Sequence, residues 1–344
     1  MIIKSNRLAK LKGEAKISET HPKPICRLVF EIGKLMEDYP PEIRDRNKKI
    51  VFEMAWLPGT TSDGRLIFTR WKAMELPEFF PPEPVADIEF REDGFQYEPA
   101  PQGGQALEWY LNFADPHLFA AYGGPLMAQD EIQMAEHPCL AALREALVSL
   151  DLPALTVEDG EPTPVLVMGA ERRCALDFET YNLYGNNFAR AKAEVVRKAT
   201  RALNPPSKTN IIAMAAPMGG YGRYSLEEII YIVKTAYTGF RAAHLESARQ
   251  PGKSPEVVVH PGFWGCGVFG GNKVLMTMLQ FLAADLAGVD KLVFHTLNPQ
   301  GTEAFSRAKN LYEEIAAGRE KLKVDKVLHR VEELGFEWGV GDGN

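Results

Sequence analysis

Two adjacent carboxylates, Asp130 and Glu131, are the residues of this sequence best suited to acid–base chemistry. They stand near the start of a predicted helix, and Asn112 and Asp115 lie at the end of a strand predicted at Leu107 to Phe113. Two carboxylates in one cleft raise each other's proton affinity, and a carboxyl group that keeps its proton is what glycosidic cleavage requires of its general acid. Acidic residues in a first helical turn are also simply favourable partners of the helix dipole, so this alternative stays open.

A glycine-rich segment between a predicted strand and a predicted helix is the second chemical feature. The strand begins at Glu256, the glycines fall between Gly262 and Gly271, and an apolar helical run follows from Val274 to Ala287. Glycines allow tight turns and close approach of the backbone to a ligand, while the loop and the helix start direct N–H groups at negative charge. The segment predicts an anion-binding loop, with a glycine-rich packing turn as the alternative.

Residues 265–270 also read Gly-x-Gly-x-x-Gly, the dinucleotide-binding fingerprint. That interpretation needs an acidic residue at the end of the following strand, where it holds a ribose hydroxyl. Here Asp290 precedes the strand at Lys291 to Phe294, and His295 and Thr296 follow it. An NAD-dependent dehydrogenase is therefore the weaker alternative.

The elements that position these residues alternate between strands and helices in the C-terminal half. Strands are predicted at Val165 to Met168, Asn210 to Ala215 and Lys291 to Thr296, and helices at Ile229 to Ala243 and Glu303 to Ala317. This alternation predicts a three-layer α/β sandwich, in which polar groups at strand ends are the natural place for chemistry.

The N-terminal region has a different pattern. Apolar spacing predicts a helix from Ile25 to Met36, whereas Ile50 to Phe52 and Leu66 to Phe68 predict the two arms of a hairpin. The proline-rich stretch from Leu76 to Pro84 cannot continue a helix or a central strand and marks a boundary. We therefore predict a mixed helical and hairpin extension at residues 1–85, packed on a core domain at residues 86–344.

The composition limits the class of protein. The 344 residues are 45% hydrophobic and 25% charged, as in an ordinary globular enzyme, and the net charge of −7 argues against binding to bulk nucleic acid. Four isolated cysteines are typical of reduced thiols, and the seven histidines show no zinc-ligand spacing. Basic residues interrupt the first 16 positions, and no apolar run approaches the roughly 18 residues of a membrane span. We expect a cytoplasmic protein without a membrane partner.

The glycine segment resembles part of a known family. Residues 264–272, Trp-Gly-Cys-Gly-Val-Phe-Gly-Gly-Asn, are similar to the diphosphate loop Trp-Gly-Cys-Gly-Ala-Phe-Gly-Gly-Asp of the poly(ADP-ribose) glycohydrolase family and agree at seven of nine positions. In the same order along the chain, residues 129–131 resemble its Gln-Glu-Glu catalytic motif, and Tyr181 and Tyr184 resemble its substrate-clasping tyrosine loop. The resemblance spans about residues 110 to 300.

The resemblance implies a macrodomain fold, an α/β/α sandwich that binds ADP-ribose, and cleavage of the ribose–ribose bonds of poly(ADP-ribose). Glu131 would be the catalytic acid, and Asp130 and Asn112 would orient the ribose. The remaining substrate contacts would come from Gln129, Asp115, the nucleotide-covering Tyr181 and Tyr184, and the diphosphate-binding Gly265, Cys266, Gly267, Val268 and Phe269. No cofactor or metal is implied, and the partner would be ADP-ribose, poly(ADP-ribose) or an ADP-ribosylated protein.

Departures from the family pattern keep two functions open. Where members have Gly-Gly-Gly, this chain has Phe119-Ala120-Ala121, and Phe119 could block the ribose that is cleaved. Asp130 is one methylene shorter than the family Glu, and Asn112 and Asp115 invert the order of an Asp and an Asn. We expect an ADP-ribosyl glycohydrolase, with a non-catalytic ADP-ribose-binding protein as the alternative.

Overall fold

The computed structural model describes residues 22–97, 106–252 and 255–341. Its strands are β1 Cys26–Glu31, β2 Arg65–Arg70, β3 Asp87–Arg91, β4 Ala106–Ala114, β5 Val157–Glu158, β6 Glu161–Pro162, β7 Val165–Leu176, β8 Thr200–Ala215, β9 Glu256–His260 and β10 Lys291–His295. Its helices are α1 Ile32–Asp38, α2 Arg46–Ala55, α3 Gln129–Glu136, α4 Pro138–Ser149, α5 Asn187–Arg190, α6 Ala193–Ala199, α7 Leu226–Ser247, α8 Lys273–Ala287, α9 Pro299–Ile315 and α10 Val324–Glu333.

The described chain forms two compact units, and each draws on three separate segments. The first contains the described residues up to 72 together with residues 117–155 and 165–210, and the second contains the described residues of 73–116, 156–164 and 211 onward. Strand β8 begins in the first unit and ends in the second. The division at residue 85 that the sequence suggests stays a prediction.

The first unit is built on antiparallel strands. β1 pairs with β2, with Leu28 opposite Phe68, and β2 pairs with β7, with Phe68 opposite Val167. These three side chains are buried, because residues directly opposite each other on neighbouring strands point to the same face of the sheet. α1 packs on α4, and α2 packs on α3, α5, α6 and β7. The sequence-distant helices α2 and α3 are therefore neighbours in the first unit.

Two predictions for the N-terminal region are wrong. Residues 26–31 form strand β1 instead of the first half of a helix, because buried Leu28 and Phe30 alternate with more exposed neighbours, and a helix starts only at Ile32. The first arm of the predicted hairpin is helix α2, which begins where the Asp45 side chain accepts the N–H groups of Asn47 and Lys48. The second arm, β2, is a strand as predicted.

The second unit contains the parallel part of the fold. β4, β9, β10 and β3 lie side by side in that order, and each neighbouring pair is parallel. Helices α7, α8 and α9 pack in succession, α7 on α8 and α8 on α9. The predicted alternation of strands and helices is confirmed here. Since parallel strands end at one edge of a sheet, the end of β4 and the glycine segment after β9 share an edge.

The predicted helix start near Asp130 and Glu131 is confirmed, because α3 starts at Gln129. The next helix, α4, starts at Pro138, since a proline cannot continue the preceding helix but fits a first helical turn. Within residues 22–97, 106–252 and 255–341, none of the helices combines the length and the apolarity that crossing a bilayer demands.

Candidate functional site

The first turn of α3 carries the predicted catalytic carboxylates. Asp130 and Glu131 are 7% and 4% exposed, and Gln129 is half-buried. The Ala128 N–H donates to Glu131 Oε2 at 2.9 Å, so Glu131 satisfies a backbone donor at the start of its own helix. Both carboxylates are therefore largely removed from water.

In the turn before α3, Phe119 has a backbone conformation that is usual for glycine. Phe119 adopts a φ of +58°, in the left-handed region that bulky residues rarely occupy and glycine adopts freely. The side chain of Phe119 is completely buried. The ring therefore helps to fill the interior of the protein, and the burial supports a backbone conformation that is strained for phenylalanine.

The N-terminal part of the chain holds this turn in place. The N–H groups of Arg44 and Asp45 donate to Gly123 O at 2.9 and 3.0 Å, and the Glu42 N–H donates to the Tyr122 hydroxyl at 2.7 Å. A Cβ atom on Gly123 would lie 2.4 Å from Glu42 O. Gly123 is therefore needed for close packing against the segment that leads into α2.

Lys48 of α2 is completely buried beside this turn, and its Nζ donates to Ala121 O at 3.3 Å. Burial lowers the pKa of the Lys48 ammonium group to about 8, against the opposing effect of the negative charges of Glu131 and Asp130. Sequence reasoning missed this residue. Once α2 is known to be a helix, a signal exists, since Lys48 lies on the same face as the buried Val51, Phe52 and Ala55.

The tyrosine loop is exposed at its tip and fixed at its base. Tyr181 and Tyr184 are 36% and 37% exposed, which leaves both rings accessible to a ligand. The Gly185 N–H donates to Met127 O at 2.9 Å, and Asn47 Nδ2 donates to Phe188 O at 2.7 Å. These bonds tie the loop to the segment before α3 and to α2.

The far end of α3 contains a buried charged pair and a neutral histidine. Arg172 Nε donates to Glu136 Oε2 at 2.8 Å, and the Leu176 N–H donates to Glu136 Oε1 at 2.7 Å. His137 contacts Gln133 O at 2.7 Å through Nδ1, and burial lowers its pKa to about 3. A histidine that stays neutral near pH 7 and is fully enclosed has a structural role.

The second unit carries the other predicted contacts. Asn112 of β4 is completely buried, and Asp115 follows the strand, with its backbone oxygen accepting the Thr156 hydroxyl at 2.8 Å. A Cβ atom on Gly262 would lie 3.2 Å from the ring of Phe113. The end of β4 and the glycine segment are thus in contact, as their shared sheet edge predicts.

Backbone hydrogen bonds fold the glycine segment on itself. The Gly271 N–H donates to Gly265 O at 2.8 Å, and the Gly270 N–H donates to Gly267 O at 3.0 Å. Gly265 and Gly270 have φ values of +75° and +67°, and a Cβ atom on Gly265 would lie 2.5 Å from Ala216 Cβ. Two glycines here are therefore required by the backbone itself.

Three successive N–H groups of this segment are left without an internal acceptor. To the extent that the structure describes the chain, the N–H groups of Gly267, Val268 and Phe269 donate to no other residue. Asn272 caps the following helix α8, because its Oδ1 accepts the N–H groups of Val274 and Leu275 at 3.1 and 3.2 Å. Unpaired donors beside a helix N terminus are suited to a bound anion.

Neighbouring side chains support the segment. Trp264 is completely buried and donates from Nε1 to Met214 O at 2.9 Å. Cys266 is half-buried as a residue, yet burial of its thiol raises its pKa to about 12. A thiol that stays protonated at neutral pH is not an active nucleophile. Cys266 therefore serves the segment through its backbone and its packing.

Two histidines are in contact next to the glycine segment. His260 Nδ1 lies 3.1 Å from His295 Nε2, and the His260 ring stacks on Tyr110 at 4.2 Å. Burial and the proximity of His295 lower the pKa of His260 to about 3. Within the described ranges, no three His, Cys, Asp or Glu side chains converge in a way that could hold a metal ion. Burial also lowers the pKa of His295, so both rings are neutral near pH 7.

The C-terminal part of the chain also contacts the glycine segment. The Gly339 N–H donates to Gly270 O at 2.8 Å, and the Trp338 ring stacks on Tyr224 at 4.1 Å. The Tyr224 hydroxyl in turn accepts the Asn272 N–H at 2.9 Å. The cap of α8 and the segment before it are thus held from outside as well as from within.

The predicted site residues fall into two groups. The first unit holds one group near α3, and the second unit holds the other around the end of β4 and the glycine segment. The first group comprises Gln129, Asp130, Glu131, Tyr181 and Tyr184, and the second comprises Asn112, Asp115, Gly265, Cys266, Gly267, Val268 and Phe269. Their roles in binding and catalysis stay predictions.

This chain is similar to a curated protein and to solved structures that are named as poly(ADP-ribose) glycohydrolases. A curated relative from Arabidopsis thaliana, "Probable poly(ADP-ribose) glycohydrolase 2", is 27% identical over 268 residues, which is 68% of this chain and 46% of the relative. The chain thus spans about half the length of that protein. Poly(ADP-ribose) glycohydrolase structures from Thermomonospora curvata and, with ADP-ribose, from Deinococcus radiodurans match at TM-scores of 0.44 and 0.43. Their sequence identities are 16% and 14%, and the matches cover 82% and 83% of this chain and 85% and 95% of theirs.

A family model matches residues 126–304, more than half of the chain, and is described as "Poly (ADP-ribose) glycohydrolase (PARG), Macro domain fold". The matched range contains α3, the tyrosine loop and the glycine segment, while Asn112 and Asp115 lie before it. The α/β macrodomain-like fold implied by the sequence resemblance is confirmed. The chain belongs to the poly(ADP-ribose) glycohydrolase family.

Proposed function

We propose that this chain is an ADP-ribosyl glycohydrolase that cleaves O-glycosidic ribose bonds of poly(ADP-ribose) or of a related ADP-ribose conjugate. The observation that carries the proposal is the row of unpaired N–H groups at Gly267, Val268 and Phe269, beside the N terminus of α8 in a family-matched segment. Such donors suit a diphosphate. We expect ADP-ribose, free, polymeric or attached to a protein, as the partner, in the cytoplasm.

Glu131 is the proposed catalytic acid. It would transfer its proton to the departing ribose hydroxyl oxygen, through an oxocarbenium-like transition state, and water would then bond to the anomeric carbon. A proton from that water restores Glu131, so the sum is hydrolysis. Asp130 and Asn112 are proposed to orient the ribose with Gln129 and Asp115. Tyr181 and Tyr184 are proposed to cover the nucleotide, as their exposed rings allow.

A non-catalytic ADP-ribose-binding protein is the main alternative, because the family glycines are replaced at Phe119 to Ala121. A dehydrogenase has less support. Asp290 lies at the start of β10, where its Oδ2 accepts the Val257 N–H at 2.7 Å. Since β9 and β10 are parallel, Asp290 is at the opposite edge of the sheet from the glycine segment and is not positioned to hold the ribose of a dinucleotide there.

The deciding experiment compares Glu131→Gln with the wild-type protein. Glutamine can still accept the Ala128 N–H, so the helix start is preserved while the proton donor is lost. We expect hydrolysis of labelled poly(ADP-ribose) to fall by about 10²- to 10⁴-fold, with ADP-ribose binding unchanged by calorimetry. A mono-ADP-ribosylated protein, assayed in parallel, distinguishes the substrates.

Glu228→Gln is the matched control. Glu228 occupies the same position in the first turn of α7, where its Oε2 accepts the Ser225 N–H at 2.8 Å, and its substitution should leave hydrolysis unchanged. Binding without hydrolysis by the wild-type protein would favour the non-catalytic alternative. If ADP-ribose does not bind at all, both interpretations fail.

A further inference from the structure

A short segment after α10 lies against the glycine segment, and neither the sequence motifs nor the family match, which ends before it, accounts for this contact. This segment, residues 336–341, is the C-terminal strap. The Gly339 N–H donates to Gly270 O at 2.8 Å, and a Cβ atom on Gly341 would collide with Val268 O. The strap therefore contacts the glycine segment through its backbone, at two residues that have no side chain.

The Trp338 side chain anchors the C-terminal strap. Its ring stacks on Tyr224 at 4.1 Å, and its Nε1 donates to Glu228 Oε1 at 3.2 Å. The Trp338 N–H also donates to Gly222 O at 2.9 Å. A Cβ atom on Gly220 would collide with the Trp338 ring, so the ring lies directly on the backbone there. Stacking and hydrogen bonds thus fix the strap immediately before the residues that touch the glycine segment.

The strap contacts one side of the peptide group that joins Val268 and Phe269. In a planar trans peptide, the C=O of one residue and the N–H of the next point in opposite directions. Gly341 lies against Val268 O, so the Phe269 N–H of the same peptide group points away from the strap. Among the residues that the structure describes, this N–H has no acceptor. The contact with Gly341 therefore fixes the direction of one of the three donors that suit an anion.

We propose that the C-terminal strap is a positioning element of the diphosphate site: Gly341 holds the Val268 carbonyl from behind and keeps the Phe269 N–H directed at a bound diphosphate. This inference rests on the proposed ADP-ribose-binding function. The bonds inside the glycine segment close the loop, whereas the strap sets the direction of a single peptide group. Hydrogen bonds weaken steeply when the donor is misaligned, and those to a charged acceptor are the stronger ones. Displacement of the strap should therefore reduce ligand affinity.

The test is Gly341→Ala, because its added methyl group must displace either the Val268 carbonyl or the strap. We expect the Kd of ADP-ribose, measured by calorimetry, to rise about tenfold. The KM for poly(ADP-ribose) should rise by a similar factor while kcat stays nearly unchanged, since the lost contact serves substrate and transition state alike. A variant with a lower kcat and an unchanged KM would contradict a positioning role at the diphosphate.

Gly220→Ala tests the anchor, because its methyl group would push the Trp338 ring from its place. It should raise the Kd of ADP-ribose by a similar factor. The double variant with Gly341→Ala should bind about as well as either single variant, because both changes act through the strap. Gly318→Ala is the matched control, since no atom lies within 4 Å of its added Cβ atom, and it should leave the Kd unchanged.

Thermal unfolding establishes that each variant is folded. Wild-type affinity in a folded Gly341→Ala protein, or fully additive effects of Gly341→Ala and Gly220→Ala, overturns the inference and leaves the proposed function intact, because the wild-type protein still binds ADP-ribose. If the wild-type protein does not bind ADP-ribose, the proposed function and the inference fail together.

Discussion

The glycine segment of the second unit and the carboxylate turn of the first differ in how far their shape depends on distant parts of the chain. The glycine segment is made from consecutive residues whose own backbone bonds close it, such as the Gly271 N–H to Gly265 O. The carboxylate turn is held by side chains and backbone from other parts of the chain, including Lys48 and the segment before α2. A loop closed by its own backbone can be encoded in a short motif, whereas the surroundings of two buried carboxylates come from residues that are distant in the sequence.

This contrast predicts different responses to mutation. Substitutions should damage the glycine segment only where a Cβ atom or a side chain cannot be accommodated, and the damage should appear in ligand affinity. Substitutions of residues that are far from α3 in the sequence but hold the carboxylate turn should change the surroundings of Asp130 and Glu131. This damage should appear in the rate of turnover. Four experiments test whether the two regions differ in this way.

Phe119→Ala should have the largest effect on stability. The ring is completely buried, alanine keeps the unfavourable positive φ, and truncation of a buried phenylalanine costs about 3–5 kcal/mol. Urea unfolding measures the change in the free energy of unfolding. Tyr221→Ala, at a fully exposed side chain, is the control and should change nothing. A loss below about 1 kcal/mol would show that the turn does not depend on its buried ring.

Gly265→Ala should raise the Kd of ADP-ribose at least about tenfold, which corresponds to a loss of about 1.4 kcal/mol of binding free energy. The added methyl group would meet Ala216 Cβ at 2.5 Å, and the residue has φ +75°, so the loop must shift. Gly160→Ala has a similar φ of +80° but no atom within 4 Å. The control variant should therefore lose about 1–2 kcal/mol of stability from backbone strain without a change in affinity. If both variants bound ADP-ribose with equal affinity, the result would contradict a binding site formed by the backbone of the glycine segment.

The two regions should respond alike to acid, because each contains a buried neutral histidine. His137 and His260 have pKa values lowered to about 3, whereas a histidine of the unfolded chain binds a proton below about pH 6.5. Stability is thus present above pH 6.5 and is lost as the pH falls. Each residue should account for about 2 kcal/mol between pH 7 and pH 5.

Denaturant titrations of His137→Gln and His260→Gln at both pH values measure this contribution. Each variant should lose less stability than the wild-type protein on acidification. If the wild-type protein is equally stable at pH 7 and pH 5, the histidines are not buried in their neutral form.

The smallest effects concern two helix caps. Asp45→Ala removes the cap of α2, and Asn272→Ala removes the cap of α8, at a cost of about 1 kcal/mol each. Because α2 carries Lys48, Asp45→Ala should lower kcat with little change in ADP-ribose affinity. Asn272→Ala should raise the Kd of ADP-ribose and leave the pH profile unchanged. If Asp45→Ala raised the Kd and Asn272→Ala lowered kcat, the proposed difference between the two regions would be contradicted.

The glycine segment, β9 and α8 were predictable because local rules decide them. A β-branched run, clustered glycines and an apolar helical run occur in order within about thirty residues. The start of α7 follows a local rule as well, since Ser225 and Glu228 have the spacing of a capping box and form one in the structure. In these elements the tertiary structure has the conformation that the local sequence pattern favours.

The N-terminal region shows where local rules fail. Ile50 to Phe52 suit a strand by composition but belong to α2, since Asp45 caps a helix and the buried face repeats at helical spacing. Residues 26–31 fit either pattern when the partner strand is unknown, and pairing with β2 decides between them. Propensity is a weak guide when long-range contacts supply most of the stabilisation.

The α/β class of the C-terminal half and the glycine segment could be inferred from the sequence, because each depends on residues that are neighbours in the chain. Three other features appear only in the folded protein: Phe119 is buried with a left-handed backbone, Gly123 packs against Glu42, and Lys48 shares an environment with Asp130 and Glu131. The physical reason is that burial and electrostatic interaction depend on distance in space, and these residues are separated by about eighty positions along the chain.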